Sequence, residues 1–274
     1  MTLSTVLFTN KKLFEMFIPF YKNSKIQVEV IFEPKINRIV LIPDQEKLSE
    51  SKLDFNYIYN ELKTILIKKD KNLLLYSKIH IQLNKKHTLI SPHNKMTPIK
   101  KYKIMNLNLE NINTGDYNQN QNFDFDLINK IKNENELITH LSFIQNISFK
   151  DSWGYSPNSQ NDIRKKIKSN NNITNGIIFA FKSKPVGFVW LTKNIISKGT
   201  AYISMIGTHP DFTGKGIATD LLKYSIRYLK NNKYKILKLE VDSDNVGARN
   251  VYKKFNFKDE QTKYWFEFSR NNFI

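Results

Sequence analysis

The sequence predicts a mixed α/β protein, and three features predict it. Segments with strand-like alternation and segments with helical apolar spacing follow one another along the chain. The stretch Gly115 to Asn122 (GDYNQNQN) is polar and aperiodic and divides the chain into two units. In the second unit an apolar run, Ala201 to Gly207, leads through Thr213-Gly214-Lys215-Gly216-Ile217-Ala218-Thr219 into an amphipathic helix, Ala218 to Lys230.

The first unit, residues 1–110, begins with a strand at Ile26 to Phe32 and a short apolar one at Arg38 to Ile42. Leu53 to Lys68 carries Phe55, Ile58, Tyr59, Leu62, Ile65 and Leu66 at helical spacing. Leu73 to Leu83 reads as a further strand, and Ile99 to Leu109 alternates at its end and closes the unit. No glycine-rich phosphate loop occurs there. Residues 111–123 form the linker. The second unit, 124–274, starts with a helix at Glu136 to Phe149 and a short one at Asn161 to Lys168, followed by a polar loop, Lys168 to Asn175. Gly176 to Phe181 and Val186 to Leu191 form a hairpin about Lys182-Ser183-Lys184-Pro185. After the glycine loop and its helix come a strand at Lys235 to Val241, a helix at Asn245 to Phe255, and terminal strands at Phe257 and Lys263 to Phe268.

Composition narrows the classes. With 274 residues, 40% hydrophobic and 13% aromatic, the chain can build a substantial core. No run is long and apolar enough to span a bilayer, and Leu13 to Phe20 lacks the length and cleavage site of a secretory signal. Cysteine is absent, which excludes a disulfide framework, a thiolate nucleophile and a Cys-based zinc site and fits the cytoplasm. The net charge is +18, from 43 Lys+Arg against 25 Asp+Glu. Such a charge attracts polyanions. The basic residues are nonetheless spread, mostly Lys, in a chain also rich in Asn and Ile. That trio reads as codon bias and argues against a nucleic-acid partner.

Glycines at a strand-to-helix junction let the backbone approach a ligand. The unpaired N–H groups of the helix start, with the positive end of the helix dipole behind them, then suit a phosphate or pyrophosphate.

The order of strand, G-x-G-x-A loop, helix, strand and N-x-x-A-x-x-x-Y helix resembles the GNAT superfamily of N-acetyltransferases. Thr213 to Ala218 match its Q/R-x-x-G-x-G/A signature, with Thr213 standing where Gln or Arg is usual. That departure removes a side chain but not the cradling N–H groups. Leu239 to Phe257 resemble the second family block, with Asn256 in place of the usual Gly. Gln145 to Ser159 look like the substrate-side segment of mycothiol-synthase-like tandem acetyltransferases, which would make residues 1–110 a degenerate first lobe. The resemblance implies an acyl-CoA N-acyltransferase fold in two tandem lobes, with acetyl-CoA as donor, an amine acceptor, no metal and a monomer or homodimer.

It further implies that backbone groups of Gly214, Lys215, Gly216, Ile217, Ala218 and Thr219 hold the pyrophosphate. Met205, Ile206 and Gly207 would serve the pantetheine and thioester carbonyl. Tyr252 would act as general acid toward the leaving thiolate. Asn245 binds the pantetheine arm or caps its own helix. Trp153 and Tyr155 either line the acceptor pocket or pack in the core. The general base stays open between Glu240, His209, a water chain and an already neutral amine. Without cysteine, direct transfer is the simplest route. The alternative is a catalytically silent CoA-binding or regulatory protein.

Overall fold

The computed structural model describes residues 13–20, 24–44, 53–54, 60, 64, 78–84, 89–90, 97–113, 123–127, 133–168 and 172–269. The first half contributes β1 (Leu13–Phe20), β2 (Ser24–Glu33), β3 (Arg38–Pro43), β4 (Leu53–Asp54), β5 (Lys78–Leu83), β6 (Leu89–Ile90) and β7 (Lys100–Asn108). The second contributes β8 (Asp124–Leu127), α1 (Glu134–Phe149), α2 (Gln160–Ile167), β9 (Asn172–Lys182), β10 (Lys184–Lys193), β11 (Thr200–Thr208), α3 (Ile217–Asn231), β12 (Ile236–Asp242), α4 (Val246–Lys254) and β13 (Lys258–Ser269).

Among the described residues, eleven strands make one sheet in the order β1-β2-β3-β5-β13-β7-β12-β11-β10-β9-β8. Each half builds an antiparallel meander, β1-β2-β3 and β9-β10-β11, and then one parallel step, β3 to β5 and β11 to β12. The halves then exchange their last strands. β7 pairs with β12 of the second half, and β13 pairs with β5 of the first. β7 and β13 pair with each other at the centre. The two units therefore share one sheet, a mixed α/β fold of two similarly wound halves.

Helices cover both faces of the second half. α1 buries Leu137, Ile138, Leu141 and Ile144 against Ile177, Phe179, Phe188 and Trp190. On the opposite face α3 buries Leu221, Leu222, Ile226 and Leu229 against Ile178, Ala180, Val189 and Leu191. Successive strand residues point to opposite faces, so a strand covered on both sides must be apolar throughout. That explains the unbroken runs at Gly176 to Phe181 and Val186 to Leu191. α1 is capped by the Asn133 side chain, which accepts from the Asn135 N–H. α2 begins with a capping box between Ser159 and Asp162.

Several sequence expectations are corrected. The polar segment read as a loop from Lys168 to Asn175 enters β9 at Asn172. There the Asn172 amide donates to the Ile167 carbonyl at 2.7 Å and its oxygen accepts from Trp190 Nε1 at 2.8 Å, so polar side chains serve a strand end. Phe257 is not a strand. Asn256 turns left-handed (φ 64°), and the Phe257 N–H returns to the Tyr252 carbonyl, closing α4. One strand, β13, follows. β8 was not anticipated. Leu53–Asp54, where a helix was expected to start, pairs with Leu89–Ile90 as a two-residue strand. Asn60 and Thr64 are helical, and the rest of that segment lies outside the described residues, as do 73–77 and 114–122.

Candidate active site

The site begins where a strand pair ends. β11 and β12 are parallel partners only from Thr200↔Ile236 to Ile203↔Leu239. Beyond that point β11 stays with β10 and β12 stays with β7, so the two strands diverge. A register shift in the β10–β11 pairing, between Trp190 and Leu191, bends β11 at the same level, as a bulge does. The gap opens into a cavity of about 470 Å³. Met205 and Ile206 form one wall, Leu239 to Asp242 the facing one, and Asn245, Ala248 and Tyr252 a third. The segment from Asp151 to Ser156 closes a side, and Glu33, Lys100 and Tyr102 reach in from the first half.

Beyond β11 the chain makes a short 3-10 turn, Pro210–Phe212, and then the glycine loop. Gly214 (φ 79°) and Gly216 (φ 84°) are both left-handed, which only glycine adopts without strain. Gly216 occupies the N-cap of α3 with no side-chain cap, so the orphan N–H groups of the first turn have no side-chain acceptor there. A Cβ on either glycine would meet nothing within 4 Å. Open space therefore lies before an uncapped helix start, a combination that fits an anion. The residues here suit a phosphate-bearing group.

Residues 141–257 match the Acetyltransferase (GNAT) family. The match covers 117 of the chain's 274 residues, all in the second half. An uncharacterized N-acetyltransferase of Methanocaldococcus jannaschii is 39% identical over 88 residues, 30% of this chain and 38% of that relative, so the match spans well under half the relative's length. A GCN5-related N-acetyltransferase from Sphaerobacter thermophilus superposes with a TM-score of 0.63 at 13% identity, over 90% of this chain and 78% of that one. A tandem GNAT protein from the clavulanic acid biosynthesis pathway gives 0.62 at 9% identity, over 91% and 81%. At such identities the likeness concerns the fold.

Within the matched residues most of the anticipated ones fall into two groups. Met205, Ile206, Asn245, Tyr252, Trp153, Tyr155 and Glu240 all border the cavity. Gly214, Lys215, Gly216, Ile217, Ala218 and Thr219 lie at the start of α3, outside its walls. The Ile217 side chain is core. Lys215 turns back on its loop, its ammonium donating to the Asp211 carbonyl at 2.9 Å and lying 4.6 Å from the centre of the Phe212 ring. Gly207 has a packing reason of its own, since a Cβ there would sit 2.8 Å from Ser148 Cβ and 2.9 Å from the Phe188 ring.

Tyr252 is buried, and burial pushes its phenol well above the usual tyrosine range. Asn245 caps α4, its side-chain oxygen accepting from the Ala248 N–H at 3.0 Å. The Glu240 carboxylate accepts from buried Lys263 at 2.6 Å. His209 takes a local task, accepting from the Asp211 N–H at 3.3 Å as cap of the short turn. Tyr155 donates to Asn146 at 2.6 Å, and burial raises its phenol too.

Sequence reasoning missed Glu33, Lys100, Tyr102 and Asp242. Lys100 bridges Asp242 at 2.8 Å and Asp244 at 2.9 Å, and the bond to Asp242 first of all raises its ammonium. Burial, followed by the Asp242 and Glu240 carboxylates, pushes up the Tyr102 phenol. Tyr102 and Asp242 are register partners across β7 and β12, so only the strand exchange brings Tyr102 to the cavity. No local motif could have signalled that.

Proposed function

We propose that the protein is an acetyl-CoA-dependent N-acetyltransferase that moves the acetyl group directly to a primary amine, with the second half as the active one. The observation that carries this reading is the end of β11–β12 pairing at Ile203 and Leu239. It places a cavity in the sheet at the end of a strand that leads, within a few residues, to an uncapped glycine-bordered helix start.

Bound acetyl-CoA would supply the thioester acetyl group. The N–H groups from Gly214 to Thr219 would hold its pyrophosphate, and the open space at both glycines supports that placement. Backbone groups of Met205 to Gly207 would orient the pantetheine arm, and an N–H there would stabilise oxyanion character at the carbonyl. Tyr252 borders the cavity, and its phenol would be the proton donor to a departing thiolate. Asn245 would hold the arm only through the part of its amide that does not cap α4. Glu240 is tied to Lys263, so removal of the acceptor's proton falls more naturally to water. The acceptor would enter past Trp153 and Tyr155.

The test is CoA release from acetyl-CoA with a panel of small primary amines and lysine peptides. Acetylated product appearing in step with CoA is the expected result. Binding of acetyl-CoA without transfer to any amine would favour a catalytically silent role instead.

A further inference from the structure

The hairpin turn of the first half grips the wall through which the acceptor would enter. β2 ends at Glu33, a turn with left-handed Asn37 follows, and β3 starts at Arg38. Glu33 and Arg38 are cross-strand partners and form an ion pair, both almost wholly buried. Arg38 lies 5.1 Å from the centre of the Trp153 ring and 5.6 Å from that of Trp265. A Cβ on Gly154 (φ 70°) would sit 2.8 Å from Arg38 Nη1. Arg38 also bonds His80 Nδ1 at 3.3 Å. An arginine can only donate, so this nitrogen accepts and His80 Nε2–H donates to Glu267 at 2.8 Å. Burial holds that ring neutral, lowering it to about 4. In the same turn Lys35 donates to the Pro157 carbonyl at 3.1 Å and to Asp162 at 2.9 Å. The turn therefore holds the segment Trp153 to Asp162 at both ends.

A buried ion pair contributes little net stability over apolar packing of the same volume. This pair has a second attribute: Glu33 borders the cavity. We propose, resting on the acetyltransferase reading above, that the first half is the acceptor-selecting half. Arg38 is a positioning residue that fixes the Trp153–Gly154 wall. Glu33 adds a carboxylate to the cavity border beside those of Glu240 and Asp242, and is a specificity-determining residue because this acidic lining favours aliphatic amines, which arrive as ammonium ions, over aromatic amines, which arrive neutral. Trp153, Tyr102 and Tyr155 border the same cavity, and aromatic side chains suit the alkyl shaft and charge of such an acceptor.

Steady-state kinetics on the full chain test this with acetyl-CoA and n-butylamine, 1,4-diaminobutane, 2-phenylethylamine or aniline. The best-used aliphatic amine serves for the variants Glu33→Gln, Arg38→Lys and Gly154→Ala. Acceptor KM should rise roughly tenfold or more, the loss expected for one charge-assisted hydrogen bond or a displaced wall, with kcat within about threefold. Acetyl-CoA affinity by calorimetry should not change. Arg38→Lys keeps the charge but loses the planar fork, and its failure to restore KM is part of the prediction. Gly154→Ala leaves the buried pair's own atoms intact, and thus remains informative if a charge variant folds poorly. Unchanged acceptor KM in folded variants, a fall in acetyl-CoA affinity to match, or a wild-type preference for aniline would overturn the inference. Turnover of none of these amines and of no lysine peptide by the wild-type protein removes the acetyltransferase reading and this inference with it. Wild-type turnover with unmoved KM in the variants removes the inference alone.

Discussion

At the scale of single residues, Tyr252 carries the sharpest expectation. Its ring packs 5.7 Å from Phe257 in the core, while the residue also borders the cavity. Loss of the hydroxyl removes a proton donor and little packing. Tyr252→Phe should lower kcat by roughly 10²-fold, as for loss of a general acid, with acetyl-CoA affinity unchanged. Burial raises the phenol, so the proton is retained through the ordinary tyrosine range and lost only above it. The alkaline limb of the kcat profile should therefore not report a tyrosine ionising near 10. A limb there that disappears in the Phe variant would remove the assignment. Tyr252 was legible because a short motif fixes its place on one helix. Glu33 was not, because nothing near it in the chain distinguishes it from any strand-end acid. The cavity it borders is closed by Trp153, 120 positions away.

At the scale of elements, the fit of α1 on β11 sets one border of the cavity. Gly207 lets the end of α1 approach, with Ser148, Phe188 and Phe149 all within 3.0 Å of a hypothetical Cβ. Phe149 also borders the cavity. Gly207→Ala should thus destabilise by about 1–3 kcal/mol, the usual cost of overpacking, and displace Phe149. Urea denaturation checks the first effect, and an unchanged midpoint would show that α1 yields freely. The sequence revealed these elements wherever an apolar period ran unbroken, as in α1, α3, β10 and β11. It concealed β8, only four residues long, and the start of β9, where Asn172 serves a strand. Polar composition signals a loop only when the side chains face water.

At the scale of the whole molecule, the exchange of β7 and β13 makes the two halves interdependent. A boundary near residue 110 describes the chain but not the sheet, since β7 from before it separates β12 from β13 after it. A fragment of residues 111–274 would lose that central strand, leaving two long edges unpaired. It should show no cooperative thermal transition, whereas the full chain unfolds in one. A cooperative, soluble fragment would contradict this account of the sheet. The alternation of strand and helix patterns made the mixed class readable. The exchange was not readable, because long-range pairing leaves no local period.

The central claim is that the glycine loop at the start of α3 cradles the pyrophosphate of acetyl-CoA. Both glycines face open space, so an aspartate would place its carboxylate where the anion is to sit, at added backbone strain from the left-handed φ. The direct measurement is calorimetric titration of acetyl-CoA into the wild-type protein and into Gly216→Asp, with far-ultraviolet circular dichroism to confirm folding. Saturable binding to the wild-type protein is expected, with loss of at least roughly 100-fold in affinity in the folded variant, as for an unscreened like charge at an anion site. Equal affinity in the two proteins would contradict it.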